Sequence, residues 1–309
     1  MEDLRKIQLT GRNTYIVSLP HSWISRNNIE KGQGVNIAEN DDGALLVSLN
    51  QKDKDLGSVT LTSSKNSPNT MRNLVSAYVS GCGKIILKGE NISTIAEEAR
   101  RVLSGVEITD ESNNELVLRI LTFDDLNVDG IIKREFNVTN SMFTIVANRL
   151  NGSDDSEVEI SRKEDDVDRL HLLLLRQVCL GTSSLRSVLF RVMISKSIEK
   201  MSDHLEELYV SSKEIEKNEE LSKLVLVAQN LFSLSYDCFA NSKIESPEYT
   251  QTRNEFLKLV SSFEEGLKKK KDKSEILALQ SLLEKCIKLL RYSEDIVESS
   301  VDLTFSQSK

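Results

Sequence analysis

Over the first 50 residues, apolar and polar positions alternate in short runs. Arg5-Lys-Ile-Gln-Leu9 reads as one strand and Tyr15 to Leu19 as a second, stopped by Pro20, with Gly11-Arg-Asn13 as the turn between them. Residues 20–27 leave room for one or two helical turns, and Lys31-Gly32 through Gly34 is a further turn. Val35-Asn-Ile37 and Ala44 to Leu49 complete the set around a hairpin turn at Asp41-Asp-Gly43. Four short strands bury too little apolar surface to stand alone, so pairing with another copy is expected.

The pattern then changes twice. Beyond a charged linker at 51–57, Val59-Thr-Leu61 reads as a strand, 67 or 68 to 79 as a helix, and Lys84-Ile-Ile-Leu87 as a buried strand. Ile92, Ile95, Ala96 and Ala99 recur at helical spacing over 91–103, and Gly105 closes that helix. Strands at 106–108 and 115–121 flank Asn113-Asn114, which gives a β-α-β-α-β-β order and a small α/β layer. From 128 onward every pattern is helical, in six segments: 128–150, 158–180, 184–212, 219–240, 248–267 and 274–303. Short breaks imply antiparallel neighbours. The six fall into two sets of three, an internal repeat of about 85 residues. The predicted fold is multidomain α+β: a swapped-hairpin β domain over 1–50, an α/β connector over 58–122, and an all-α bundle of two three-helix repeats over 128–305.

Two acidic signatures lie on successive helices, Glu164-x-x-x-Asp168 and Glu199-x-x-x-Asp203. Residues four apart share a helix face, so two such helices side by side would converge four carboxylates. Like charges at this spacing cost a few tenths of a kcal/mol, roughly, unless a cation sits between them. That cation would be a metal ion or a basic side chain; the bland alternative is a solvated charged face. The pairs border apolar rows: Val167, Leu170, Leu174 and Val178 on one helix, and Leu185, Val188, Leu189 and Val192 leading into Ser195, Glu199 and Asp203 on the other. Carboxylates beside a core row are partly desolvated and favour a cation partner. Oxygen donors suit Mg, Mn, Ca or iron rather than thiolate-bound zinc.

Composition narrows the function. At 309 residues with 39% hydrophobic and 28% charged positions, the chain suits two or three soluble domains. A net charge of −8 disfavours a nucleic-acid coat along the whole length, yet residues 1–38 hold five basic against three acidic side chains. Arg5, Lys6, Arg12 and Arg26 are the candidates for DNA phosphate contact, against the plainer reading of solvated surface charge. No apolar run approaches the ~20 residues of a membrane span, and residues 1–25 lack a signal-peptide core, so a cytoplasmic location is expected. The four cysteines form no C-x-x-C pair and read as reduced thiols in packing roles. Three histidines without triad spacing, and no phosphate-binding glycine loop, argue against an enzyme. His171, three after Asp168, would either extend the metal face or, on the plainer reading, be a packed or solvent-edge histidine; His204 points away from that face, and Lys268 to Lys271 read as a solvated helix end, with an anion or membrane-surface patch as the alternative.

The helical half resembles the PhoU family, through Glu164-Asp-Asp-Val-Asp-Arg-Leu-His-Leu-Leu-Leu-Leu-Arg176 and Ile198-Glu-Lys-Met-Ser-Asp-His204 in a pair of three-helix repeats. The resemblance implies iron or a similar cation on Glu164, Asp168, Glu199 and Asp203, and regulation of phosphate uptake through a transporter or its sensor. The second repeat departs from it. Arg291 occupies the glutamate position, Asp295 is kept, and Gln251 and Glu255 stand in the other helix. An internal salt-bridge cluster of Arg291 with Glu255 and Asp295 is expected there, leaving one metal site.

The first 50 residues resemble the SpoVT/AbrB family, through Arg5-Lys-Ile-Gln with Gly11, Val17-Ser-Leu-Pro20, Trp23, Lys31-Gly32 and Gly43. That resemblance implies an intertwined homodimer whose basic hairpins contact DNA. Residues 59–121 are similar to the connector of archaeal regulators that join these two modules, through Met71-Arg-Asn-Leu-Val-Ser-Ala-Tyr78 and Ser80-Gly81. The combined expectation is a phosphate-uptake transcriptional regulator. The rivals are an adaptor that dimerises through the β domain and docks a phosphate transporter or sensor without touching DNA, and a metal-dependent hydrolase.

Overall fold

The computed structural model describes residues 4–39, 43–49, 56–64, 69–121, 127–152, 156–181 and 184–307. The chain divides into two compact units, Met1–Ala38 with Leu45–Lys54, and Glu39–Ala44 with Asp55–Lys309. Several predicted features lie outside the described residues: Asp41 and Asp42 of the hairpin turn, 51–55 of the linker, Pro68 at the helix start, and the 50 and 122 boundaries.

In the first unit, β1 (Gln8–Thr10) and β2 (Thr14–Ile16) pair antiparallel, with Gln8 opposite Ile16 and Thr10 opposite Thr14. Gly11 makes the turn at φ +68°, a conformation other residues adopt only with strain. The second strand is shorter than its apolar run, because Val17 to Leu19 leave the ladder ahead of α1 (His21–Arg26). β3 (Val35–Glu39) and β4 (Leu45–Leu49) form a second two-stranded sheet. No described residue of this unit is buried, and Leu4, Ile7, Leu9, Tyr15, Ile16, Val17, Ile37, Leu45 and Leu46 are all exposed.

The second unit opens with β5 (Ser58–Ser63), α2 (Thr70–Val79), β6 (Lys84–Gly89), α3 (Ile92–Val102), β7 (Val106–Glu111) and β8 (Glu115–Ile120). The sheet order is β5-β6-β8-β7: α2 carries the parallel crossover from β5 to β6, and the other two pairings are antiparallel. Alternating Ile85 and Leu87, with Leu116 and Leu118, close a core with Leu74, Tyr78, Ile95, Ala96 and Ala99. Gly89 is required where β6 ends: at φ +133°, a Cβ there would lie 2.0 Å from the Ser63 carbonyl oxygen.

Six helices follow: α4 (Val128–Leu150), α5 (Glu157–Leu180), α6 (Leu185–Ser211), α7 (Glu219–Ala240), α8 (Pro247–Leu267) and α9 (Lys273–Gln307). Four of them, α4, α6, α7 and α8, start at a residue whose side chain caps the helix. Asn127 accepts from Gly130 N at 2.6 Å, Asn218 from Leu221 N at 2.9 Å, and Ser246 from Tyr249 N at 3.2 Å, ahead of Pro247. One large core joins all six helices.

Two expectations need correction here. Leu185 and Leu189 are 82% and 49% exposed, so the first turns of α6 do not continue the core row. Its buried stripe is Ile194, Ser195, Ile198, Glu199, Met201 and Ser202. In the second repeat, Gln251, Glu255, Arg291 and Asp295 are all exposed, and among the described residues no ion pair joins them. The α8 register turns Thr252, Phe256, Val260 and Phe263 inward, which sends Gln251 and Glu255 to the outside. The pair that does bridge α8 and α9 is Arg253 Nε to Glu294 Oε1 at 2.5 Å.

Candidate cation site

Helices α5 and α6 pack side by side and bring three of the four predicted carboxylates together. Glu164, Asp168 and Asp203 each offer an oxygen within 4.8 Å of the other two, and all three are half-buried. Burial, then Asp168, Glu206 and Asp203, push the Glu164 carboxyl up to about 8. Burial, then Glu199 and Asp203, push Asp168 up to about 6, against the pull of Lys196 and Lys200. Asp168 Oδ1 is a buried oxygen with no hydrogen-bond partner among the described residues. An orphaned carboxylate oxygen inside a three-carboxylate group fits a hard or borderline dication held by oxygens.

Glu199 is the exception. Its side chain turns to two lysines of its own helix, with Lys196 Nζ at 2.7 Å and Lys200 Nζ at 3.5 Å from Oε2. Lys200 also donates to Asp203 Oδ2 at 2.6 Å, and that bond is the main reason its pKa is raised. Lysine therefore answers Glu199 and one oxygen of Asp203, whereas among the described residues no lysine pairs with Glu164 or Asp168.

One helical turn deeper lies a buried polar chain that the sequence reading missed. Ser195 Oγ donates to Glu135 Oε1 at 2.8 Å, and His171 Nδ1 is 2.7 Å from the same hydroxyl. The Ser195 hydroxyl thus links the Glu135 carboxyl to His171 Nδ1. Glu135 is fully buried on α4, and burial holds its carboxyl well above the usual range. Burial, then Lys196 and Lys200, lower His171 to about 4. Serine stands between the acid and the histidine, whereas nucleophilic catalysis puts histidine between acid and serine. The trio therefore ties α4, α5 and α6 together rather than activating Ser195. One signal for it was available: Glu135 follows Ile131 by four residues and precedes Thr139 by four, an acid inside an inward-facing stripe.

His204 is buried, donates from Nδ1 to the Lys200 carbonyl oxygen at 2.9 Å, and stacks edge-on against Tyr292, so it stays off the acidic face. Arg5, Lys6, Arg12 and Arg26 are all exposed: Arg12 lies in the β1–β2 turn, and Arg26 ends α1 with Nε 3.3 Å from Ser22 O. Lys268 to Lys271 are exposed past α8, with Lys270 paired to Glu275 at 2.7 Å.

Residues 8–54 match the family described as antidote-toxin recognition MazE, bacterial antitoxin. This agrees with an AbrB-like β domain at the N-terminus. Comparison with curated proteins and with solved structures gave no match. No described helix is long and apolar enough to cross a membrane.

Proposed function

We propose that the protein is a dimeric DNA-binding regulator whose helical bundle responds to a divalent cation, with phosphate uptake as the regulated process. The observation that carries the reading is the N-terminal module: it matches an antitoxin family with an AbrB-like β domain, and none of its described residues is buried. A second copy would cover Leu9, Tyr15, Ile16 and Leu45 and leave the Arg12 hairpins to meet DNA phosphates. The phosphate assignment rests on the PhoU-like signatures of α5 and α6. Glu164, Asp168 and Asp203 would hold the cation, which supplies positive charge to the cleft; iron, Mn, Mg and Ca share the required preference for oxygen donors. The role is regulatory rather than enzymatic.

A mobility-shift titration over a salt series tests the DNA part. Affinity is expected to fall as salt rises, and Arg12→Ala, which removes one phosphate contact from each of two copies, to lower the log–log slope by about 1.8. Absence of any shift at low salt would defeat it. The adaptor reading has one observation in its favour, the excess of acid over base in a chain of net charge −8. Co-purification with a transporter or sensor component and no DNA shift would select it. Elemental analysis of wild type against Asp168→Ala/Asp203→Ala tests the cation: equal metal content in both would remove it.

A further inference from the structure

The connector sheet has two outer edges, and they are built differently. β7 carries three exposed acids, Glu107, Asp110 and Glu111, and its register against β8 breaks at a bulge between Ile108 and Asp110. Charge and a bulge keep a foreign strand off a sheet edge. β5, Ser58-Val-Thr-Leu-Thr-Ser63, holds no charge and no proline, and its register against β6 runs unbroken from Ser58 opposite Lys84 to Ser63 opposite Gly89. The Gly57 carbonyl accepts from Lys84 N at 3.3 Å, and the Ser63 carbonyl accepts from Glu90 N at 3.4 Å. Residues that bond one neighbouring strand alternate along a parallel ladder, so Val59 and Leu61 also turn their backbone groups toward β6. Ser58, Thr60 and Thr62 then turn both N–H and C=O outward, and among the described residues no strand pairs with that side. Their side chains are exposed, and Val59 and Leu61 are only half-buried at the rim of the connector core.

We propose that this edge is an interface with a second copy of the chain, β5 against β5, antiparallel about a two-fold axis at Thr60. With Thr60 opposite its own counterpart, Ser58 lies opposite Thr62 of the second copy. All three outward residues then fall at hydrogen-bonded positions, where facing residues exchange both N–H···O=C bonds. Val59 faces Leu61 of the second copy at the positions between, so each connector core continues into the other. A neutral Ser, Thr, Val and Leu strand opposes itself without meeting a like charge, which the acidic β7 does not. The two-fold closes after one pairing, and no free β5 edge is left to recruit further chains. This contact rests on the dimeric reading given above and adds a second joint to it. β5 begins at Ser58, shortly after β4 ends at Leu49, so pairing of the N-terminal modules tethers two β5 strands at high effective concentration. The two four-stranded sheets become one continuous sheet.

Cysteine cross-linking of the full-length chain decides the matter, with copper phenanthroline as oxidant and peptide mass spectrometry to map the products. Thr60→Cys is expected to give a disulfide between position 60 of one chain and position 60 of the other, because facing residues at a hydrogen-bonded position have Cα atoms about 5.5 Å apart. Ser58→Cys lies about 13 Å along the strand from its own counterpart and should cross-link at least tenfold less. Adding Thr62→Cys to Ser58→Cys should restore a link, now from position 58 of one chain to position 62 of the other. Mapping separates these products from any disulfide through Cys179, the exposed native thiol. Cross-linking at position 60 no greater than at position 58 overturns the proposal. If light scattering then still returns two chains, the N-terminal pairing stands without the β5 joint; if it returns one, both fall.

Discussion

At the scale of single residues, the energetics turn on acids removed from water. Burial raises the Glu135 carboxyl well above its ordinary range, so Glu135→Gln keeps the acceptor for Ser195 and drops the cost of burying an acid. It should leave stability unchanged or raise it, whereas Glu135→Ala leaves a hole and an unpaired Ser195 and should cost about 2–4 kcal/mol in denaturant titration. Glu164 gives a pH signature with a definite sign. Its folded pKa of about 8 lies above the ordinary carboxylate value, so the folded state binds the extra proton, and stability is lost as pH rises toward 8. His171, held at about 4, has completed its own contribution by pH 6.5, and Asp168 by about 6. Between pH 6.5 and 8, then, Glu164 is the group of this cleft that titrates. The melting temperature should fall across that window by roughly 1–2 °C, and Glu164→Gln should flatten the slope. Manganese should stabilise more at pH 8 than at pH 6, because the cation and the proton compete for the same oxygens; equal stabilisation at both would place the ion elsewhere.

At the scale of elements, α5 carries most of the organisation. One side holds Val167, Leu170 and Leu174 in the bundle core and Glu164 and Asp168 in the cleft. Another side gives Leu172 to the connector core, Asp165 to Arg101 of α3 at 3.0 Å, and Arg176 to the end of α2. These two polar ties differ in worth. The Arg101 pair is exposed to solvent, and Arg101→Ala should cost at most about 1 kcal/mol. Arg176 is buried, caps a helix carbonyl and covers an aromatic ring, and Arg176→Met should cost about 2–4 kcal/mol. Urea titration of both variants checks the order, and a larger loss from Arg101→Ala would mean that Arg176 adds little to the joint. The repeat is uneven at this scale too: α5 and α6 face each other through carboxylates, whereas α8 meets α9 through the Arg253–Glu294 pair.

At the scale of the whole molecule, the N-terminal unit is incomplete as a single copy. Its exposed Leu9, Tyr15, Ile16 and Leu45 are residues that a folded module of ordinary stability hides. Light scattering should therefore return twice the 34.8 kDa chain mass, and charged replacements at Tyr15 and Ile16 should reduce it toward one chain while the bundle keeps its helical signal. A monomeric wild type would remove the dimer on which the DNA reading depends.

Local pattern alone determined the helices, the succession of strands and helices along the connector, and the fold class, because hydrophobic period, caps and turn residues act over a few positions and are written along the chain. It also placed Glu164, Asp168 and Asp203 on facing helices. Tertiary packing decided the rest. The rotation of α6 buried Glu199 between two lysines and exposed Leu185; the rotation of α8 turned Glu255 away from Arg291. Glu135, Ser195 and His171 come from three helices, as Arg176 and Tyr78 come from two parts of the unit, and no spacing in a linear pattern encodes such a meeting. A helix's azimuth is set by what its whole surface can bury, a sum over distant residues, and that sum is completed only when the helices pack.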